Sequence, residues 1–345
     1  MNSRPERTRG RRRQVTIADV AREANVSRAA VSKVIRDAYG VSPEMRERVT
    51  RVIEQLGYRP RADARAMRGT TFTFGIEIPQ LGNEFFTQIF RGVMEHLSAT
   101  QYDLISVAAE DPAASMRSLE SLLDRQVAGI VAISPFVDPL WLERLAQRLP
   151  LVQLGRHDVS EHFDTVTGDD RLGVQLALGH LLDLGHRRIA HITGERALDS
   201  PERTDTHSIR LTAYTAMMLD RGLKPEVHRC DGTEAGAYRV AAELVRGGDP
   251  PTAIFAGHDT LALGVLRATA ERGLDARDVS VVGYDDVEMA RHPLIGLTTV
   301  DQFGHRMGVE AARMLLERVE ERTAPSRVQT TPELRVRRST APPRN

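Results

Sequence analysis

The chain of 345 residues contains one cysteine, Cys230, few aromatics at 5%, and no formal net charge. A single cysteine excludes an internal disulfide and a cysteine-cluster zinc site. No apolar run approaches the ~20 residues that a membrane-spanning helix needs. The arginines at 11–13 are followed by no apolar stretch, so they do not begin a secretory signal. A cytoplasmic protein is the expectation. The sequence also lacks G-x-x-x-x-G-K-[ST], GxGxxG and GxSxG, the loops that cradle phosphates or present a nucleophilic serine. His180, His186 and His191 are spaced by six and five residues, which fits neither one helix face nor a zinc-binding HExxH. Asp285 with His258 is the remaining acid–base candidate. The reading is a non-enzymatic protein that needs no cofactor.

What is present is unevenly distributed. Residues 1–70 hold 17 of the 47 Lys and Arg but 8 of the 47 Asp and Glu, a formal +9 against −9 for the remainder. A charge run alone is often only a solvated face. Here it overlies a helical pattern, which points to a nucleic-acid-binding head on an acidic body. Thr16 with Asp19 forms a capping-box signal ahead of Ile17, Val20, Ala21 and Ala24. A turn at Asn25 and Val26 leads to a second short helix opened by Ser27, with Ala30, Val31, Val34 and Ile35 apolar. Ser42-Pro43-Glu44 starts a third helix that Gly57 ends. This pattern predicts a helix-turn-helix. Its second helix would enter the major groove by its N-terminal end, placing Ser27, Arg28, Ala29 and Ser32 nearest the DNA, with Lys33 and Arg36 further along. Arg28 can donate two bonds to guanine or bind a phosphate, whereas Ala29 offers only a methyl.

The stretch 15–60, VTIADVAREANVSRAAVSKVIRDAYGVSPEMRERVTRVIEQLGYRP, resembles the head of LacI-family transcriptional repressors, and the resemblance continues to about residue 340. It departs at Ala30, where the family usually has Thr. The resemblance implies a DNA-binding set of Thr16, Ser27, Arg28, Ala29, Ser32, Lys33 and Arg36, joined by Arg61 and Met67 in the linker. It implies that 60–70 is a hinge helix, with Met67 in place of the usual Leu wedge between base steps and Arg61 where Asn is common. A flexible basic tether is the simpler alternative.

From residue 72 short β-rich runs alternate with helical ones, which predicts parallel sheets with crossover helices. Strands are predicted at 73–78, 102–108, 129–133, 151–154, 189–192, 252–255 and 279–284. Ligands in such folds sit beyond the C-terminal strand ends, and two lobes would leave a cleft between them. Family motifs follow in order, including Asn83-Glu84-Phe85-Phe86, Asp169-Asp170, Gly185-His186-Arg187-Arg188-Ile189 and Gly283-Tyr284-Asp285-Asp286. The resemblance implies a two-lobe, periplasmic-binding-protein-like α/β body behind an all-α head. The domains are then 14–59 for the head, 60–70 for the hinge and 71–340 for effector binding and dimerisation. Lobe 1 takes 71–167 and 299–325, and lobe 2 takes 168–298 and 326–340, with crossings near 166–169, 297–300 and 323–328. Arg210, before Ala213-Tyr214, and Asp285 match effector contacts of the family. His258 stands where Asn is usual. Asn83, Phe85, Ser134 and Asp169 complete the expected cleft set. The sequence is identified as a homodimeric repressor that binds a near-palindromic operator under control of a sugar-like small molecule, with no membrane partner.

Overall fold

The structure, a computed structural model, describes residues 15–35, 39–58, 71–200, 202–248 and 250–344. Arg36, Arg61, Met67 and the linker at 60–70 lie outside them. The contacts within the chain divide it into two units between Thr71 and Phe72.

The first unit contains α1 (Ile17–Glu23), α2 (Arg28–Ile35) and α3 (Pro43–Leu56). The Thr16 hydroxyl accepts from the Asp19 amide, and the Asp19 carboxylate accepts from the Thr16 amide at 2.9 Å. Two otherwise orphaned donors are thereby satisfied, despite the short acid. Asn25, with φ 51, turns the chain between α1 and α2. Ser42 caps α3 above Pro43, and Gly57 ends that helix with φ 61. Val20, Val31, Val49 and Val52 meet in a small core closed by Tyr58.

The second unit begins β1 (Thr73–Ile78), α4 (Glu84–Leu97), β2 (Asp103–Ala108), α5 (Pro112–Asp124), β3 (Gly129–Ile133), α6 (Pro139–Ala146), β4 (Leu151–Leu154) and β5 (Asp164–Gly168). It continues with α7 (Asp170–Asp183), β6 (Ile189–Gly194), α8 (Thr206–Asp220), β7 (Glu226–Cys230), α9 (Glu234–Leu244), β8 (Ala253–Ala256), α10 (Asp259–Ala270), β9 (Ser280–Tyr284) and β10 (Thr298–Asp301). It closes with α11 (Gly304–Val319), β11 (Arg327–Thr330) and β12 (Glu333–Arg335). Two six-stranded sheets result, ordered β11-β5-β4-β3-β1-β2 and β12-β10-β9-β8-β6-β7. Every pairing is parallel except β10 with β12. The inner strands are buried from end to end, as strands covered on both faces must be.

The chain passes between the sheets three times, after β5, after β10 and after β11. The second and third passages lie further along than the expected 297–300 and 323–328. The reason is backbone pairing. β10 continues its ladder on β9 to Val300↔Tyr284, and β11 continues on β5 to Thr330↔Gly168, so neither strand can leave its sheet earlier. Residues 299–301 thus belong to the second lobe, and 327–330 to the first.

β5, of sequence Asp-Thr-Val-Thr-Gly, was not among the predicted strands, because its composition is polar. It is nevertheless fully buried. Its Asp164 is held by Arg318 at 3.2 Å, Arg322 at 2.5 Å and the Ser326 amide at 2.7 Å, so the charge is compensated.

Glu77 is the unusual group in the first sheet. It is 1% exposed, accepts from the Ser115 hydroxyl, and leaves Oε2 without a partner among the described residues. Burial pushes its carboxyl up to about 7, against the pull of the Ser115 bond. A raised folded-state value means that the protonated form stabilises the fold. That contribution is full below the unfolded value of 4.5 and is lost as pH rises through about 7. Glu77→Gln imitates the protonated acid. It is expected to raise stability at pH 8 by on the order of 1–3 kcal/mol while changing little at pH 5. Urea denaturation at the two pH values checks this, and an equal effect at both would remove Glu77 as the titrating group.

Candidate functional site

There are two candidate surfaces, one in each unit. In the head, Ser27, Arg28, Ala29 and Lys33 are exposed and Ser32 is half-buried, opposite the buried Val31 and Val34 of α2. The Ser27 hydroxyl accepts from the Ala30 amide at 3.1 Å and so caps α2. No acid occupies the first turn of α2. Its positive N-terminal end therefore stays available to an anion such as a backbone phosphate. Thr16 is exposed at the start of α1, with its hydroxyl on Asp19 at 2.7 Å.

In the body, the centre is Arg210 on α8. It is 3% exposed and uses its whole fork. Nε donates to Asp170 at 2.7 Å, Nη1 to the Gly257 carbonyl at 2.8 Å, and Nη2 to Gln302 at 3.3 Å. Its guanidinium lies over the Tyr284 ring, 3.6 Å from the centroid. Asp285 is 4.0 Å from Nη1 and accepts from Gln302 Nε2 at 2.5 Å. Asp170 is fully buried and also touches His157 at 2.8 Å. Burial pushes the Asp170 carboxyl up, but Arg210 and His157 outweigh that and hold it below the ordinary carboxylate value. Arg210 is held charged: burial works against the cation, and Asp170, Tyr284 and Asp285 overcome it. Burial raises both Asp259 and Asp285, each against favourable partners. Their mutual repulsion raises Asp259 further, so this pair holds its protons more tightly than solvated acids do.

Several of these groups, and others expected for the cleft, follow strand ends. Asp285 follows β9, Gln302 follows β10, Ser134 follows β3, and Gly257 and His258 follow β8. Several of these strand ends carry strained backbone. Ser134 has φ 43, Asp285 φ 120, Asp286 φ 51 and Phe303 φ 60. Non-glycine residues adopt such values only when their surroundings impose them. Asp286 is tied by Arg337 at 2.6 Å and Arg291 at 2.8 Å, which offsets the strain. Most body helices start with a side-chain cap, among them those at Asn83, Asp111, Asp138, Asp169, Asp205 and Thr233. α10 and α11 start at His258 and Phe303 with no side-chain cap, and both starts lie at these strand ends.

The lobes also touch around this centre. The His157 amide donates to the Thr204 carbonyl at 2.8 Å, and the Thr204 hydroxyl to Asp158 at 2.5 Å. Gln88 Nε2 donates to the Asp286 carbonyl at 3.1 Å.

The remaining expected cleft residues are placed as follows. Asn83 is buried, and its Oδ1 caps α4 by accepting from the Phe85 amide at 3.0 Å. Phe85 sits in the core of the first lobe against Gly304, and Phe86 is the more open of the two rings. Asp169 caps α7 through the Leu172 amide at 3.0 Å, so its neighbour Asp170 is the acid that meets Arg210. His186 bonds Thr252, Ser280 and the Ala341 carbonyl, a structural role. Among the described residues no group of three His, Cys, Asp or Glu could hold a metal ion.

Comparison with known proteins fits this geometry. Residues 16–61 match the bacterial regulatory proteins of the lacI family, and residues 178–340 match the periplasmic binding protein-like domain. Catabolite control protein A of Priestia megaterium is 31% identical over 325 residues, covering 92% of this chain and 96% of its own. The chain belongs to the LacI family. The ribose operon repressor of Escherichia coli K12 is 33% identical over 335 residues, covering 94% of this chain and 99% of its own. The lac repressor dimer bound to operator and the anti-inducer ONPF superposes with a TM-score of 0.76 at 26% identity, covering 95% of this chain and 100% of that one. This LacI-family regulator therefore carries the family's helix-turn-helix and its two-lobed α/β body. Among the described residues no helix is long and apolar enough to cross a membrane.

Asp170, Gln302, His157 and Tyr284 were not singled out by sequence. Asp170 was visible only as half of Asp169-Asp170, and Gln302 and His157 carried no signal at all. Gly173, three residues after Asp170, has a packing reason, since a Cβ there would collide with the Tyr284 hydroxyl. The Asp170–Arg210 pair yields a direct expectation. Asp170→Ala leaves a buried guanidinium without its directly bonded carboxylate and should cost about 3–5 kcal/mol of body stability. Chemical denaturation of the purified chain measures it, and a loss under ~1 kcal/mol, the scale of an exposed ion pair, would contradict the pairing.

Proposed function

We propose that this regulator is a homodimeric, sequence-specific repressor whose hold on a near-palindromic operator is set by a small, sugar-like effector bound between the lobes. The observation that carries the reading is the presence, in one chain, of an exposed basic helix face on a capped three-helix head and a buried polar cluster where two lobes exchange strands. Residues 14–59 are the proposed DNA-binding domain, 60–70 the hinge, and 71–340 the effector-binding and dimerisation domain. On α2, Arg28 reads a base, and Ser27, Ala29, Ser32 and Lys33 complete the surface, with Thr16 and Arg36 also assigned to DNA contact. Arg61 and Met67 are assigned to the minor groove, Met67 as an adaptable apolar wedge. In the cleft, Arg210, Asp285 and His258 are the proposed effector contacts, with Asn83, Phe85, Ser134 and Asp169 around them. Two relatives support the effector and operator assignments: a ribose operon repressor and a lac repressor dimer held on operator with a small molecule. The reading assigns no reaction to the chain. Asp285 is engaged by Gln302 at 2.5 Å. A cytoplasmic location accompanies this role.

Coupling between effector and operator is reciprocal: a ligand that weakens operator binding is itself bound less tightly on the operator. Binding-site selection on random duplexes tests the head. The parent chain should return a two-half-site consensus with affinity that falls steeply with salt. Arg28→Ala should lose about 1–3 kcal/mol and relax one base pair per half-site. An unchanged consensus would show that Arg28 reads no base. Arg210→Lys tests the cleft while keeping a cation beside Asp170. It loses the planar fork, so operator binding should stay near parental and the response to effector should fall by about tenfold or more. Gel shifts with and without ligand decide, and a parental response would remove Arg210 from the site.

A further inference from the structure

The lobes also meet through α4. One face of this helix carries Glu84, Gln88 and Arg91, which follow one another at helical spacing. All three reach the turn that continues from Asp285 in the second lobe. Gln88 Nε2 donates to the Asp286 carbonyl at 3.1 Å. The Glu84 carboxylate accepts from the Glu288 amide at 3.2 Å and from the Met289 amide at 3.5 Å. Arg91 stands 3.8 Å from Glu288, but both are exposed, so this pair contributes little. Glu288–Arg291 form a short 3-10 helix, and Val287 ahead of it supplies no side-chain cap. Its first amides are satisfied instead from the other lobe, by Glu84. α4 is not free to give way. A Cβ on Gly92 would fall 2.0 Å from the His305 carbonyl oxygen, and one on Gly308 would fall 2.0 Å from that of Ile89. α4 and α11 thus meet backbone to backbone, and elements packed so closely shift together. α11 starts after Phe303, and Gln302 just before it holds Asp285 at 2.5 Å. The turn 285–289 is therefore held at its start from the segment ahead of α11 and along its length from α4.

We infer that Glu84 and Gln88 form a latch with which the first lobe holds the 285–289 turn of the second, and that releasing it loosens the two lobes from each other. The contacts suit a reversible device. They are few, they are hydrogen bonds rather than apolar packing, and both side chains are only half-buried. One such bond shifts an equilibrium by a few-fold to about tenfold. That is enough to bias two arrangements of the lobes without fixing either. The latch itself stands on these contacts alone. Its part in signalling rests on the cleft reading above. A ligand that engages Asp285 acts on a turn already tied to α4, the first helix of the body, and so reaches the first lobe through Glu84 and Gln88.

Amide hydrogen exchange on the full chain, resolved to single residues, tests the latch in Glu84→Ala, Gln88→Ala and the double variant. Alanine keeps α4 helical. Parental exchange at the inner-strand residues Val131 and Val282 will show that a variant is folded, and the single variants decide should the double variant fail that check. In Glu84→Ala the Glu288 and Met289 amides lose their acceptor and should exchange about threefold to tenfold faster. The His157 amide is the reporter on the lobes. It donates to the Thr204 carbonyl of the second lobe at 2.8 Å, in a different junction. It should exchange about twofold faster in each single variant, and about threefold or more in the double variant. Faster exchange at Glu288 and Met289 with parental exchange at His157 would reduce Glu84 to a local cap and overturn the latch. Parental exchange at all three would overturn the contacts themselves. Glu84→Gln keeps an acceptor in place and should restore most of the protection, whereas exchange as fast as in Glu84→Ala would also overturn the latch. None of these outcomes needs an effector, so the latch can fail while the cleft reading stands.

Discussion

The contact between Arg210 and Asp170 organises the body. Both side chains are out of water, and a buried guanidinium is tolerated only where a carboxylate and further acceptors meet its fork. Meeting that condition takes groups from several parts of the second lobe and its crossings. α7 supplies Asp170, the end of β8 supplies the Gly257 carbonyl, the segment after β10 supplies Gln302, and β9 supplies the Tyr284 ring beneath the cation. His157, from the first lobe, reaches the second oxygen of Asp170. The pair is therefore where the two lobes and the passage between them come together.

The strained backbone around it follows from the same constraint. Asp285 and Asp286 hold left-handed conformations because Gln302 grips one carboxylate and Arg291 and Arg337 grip the other. Phe303 turns the chain so that Gln302 faces Asp285 while the next residue starts α11 in the other lobe. Strand ends that are strained, uncapped and lined with acids are costly to fold. They stand beside helix starts that are capped, by Asp169 on α7 and by Asp205 on α8, so the uncapped starts of α10 and α11 are local to this junction.

Much of the fold could be read from the chain, because its signals are local. The capping box at Thr16, the Ser42-Pro43 helix start and the Gly57 stop act over one turn of helix, and they appear where their chemistry places them. The apolar runs of β3, β4, β8 and β9 could hardly be anything but inner strands. The polar strands escaped notice. β5 is buried through the compensation of Asp164 by arginines more than 150 residues away in sequence, and nothing in Asp-Thr-Val-Thr-Gly announces that. The lobe crossings were misplaced by a few residues for a related reason, since ladder length is decided by the neighbouring strand.

By itself, the sequence determined the head, the alternation of strands and helices, the two-lobed family and the positions of Arg210 and Asp285, because each is written in residues close together in the chain. Only the tertiary structure decided which acid meets Arg210, that Gln302 links it to Asp285, and that Asp169 and Asn83 spend their side chains on helix caps. Those facts depend on groups brought together by burial and by three chain crossings. Whether a buried charge is matched is a property of the packed site, and no single stretch of sequence contains both halves of it.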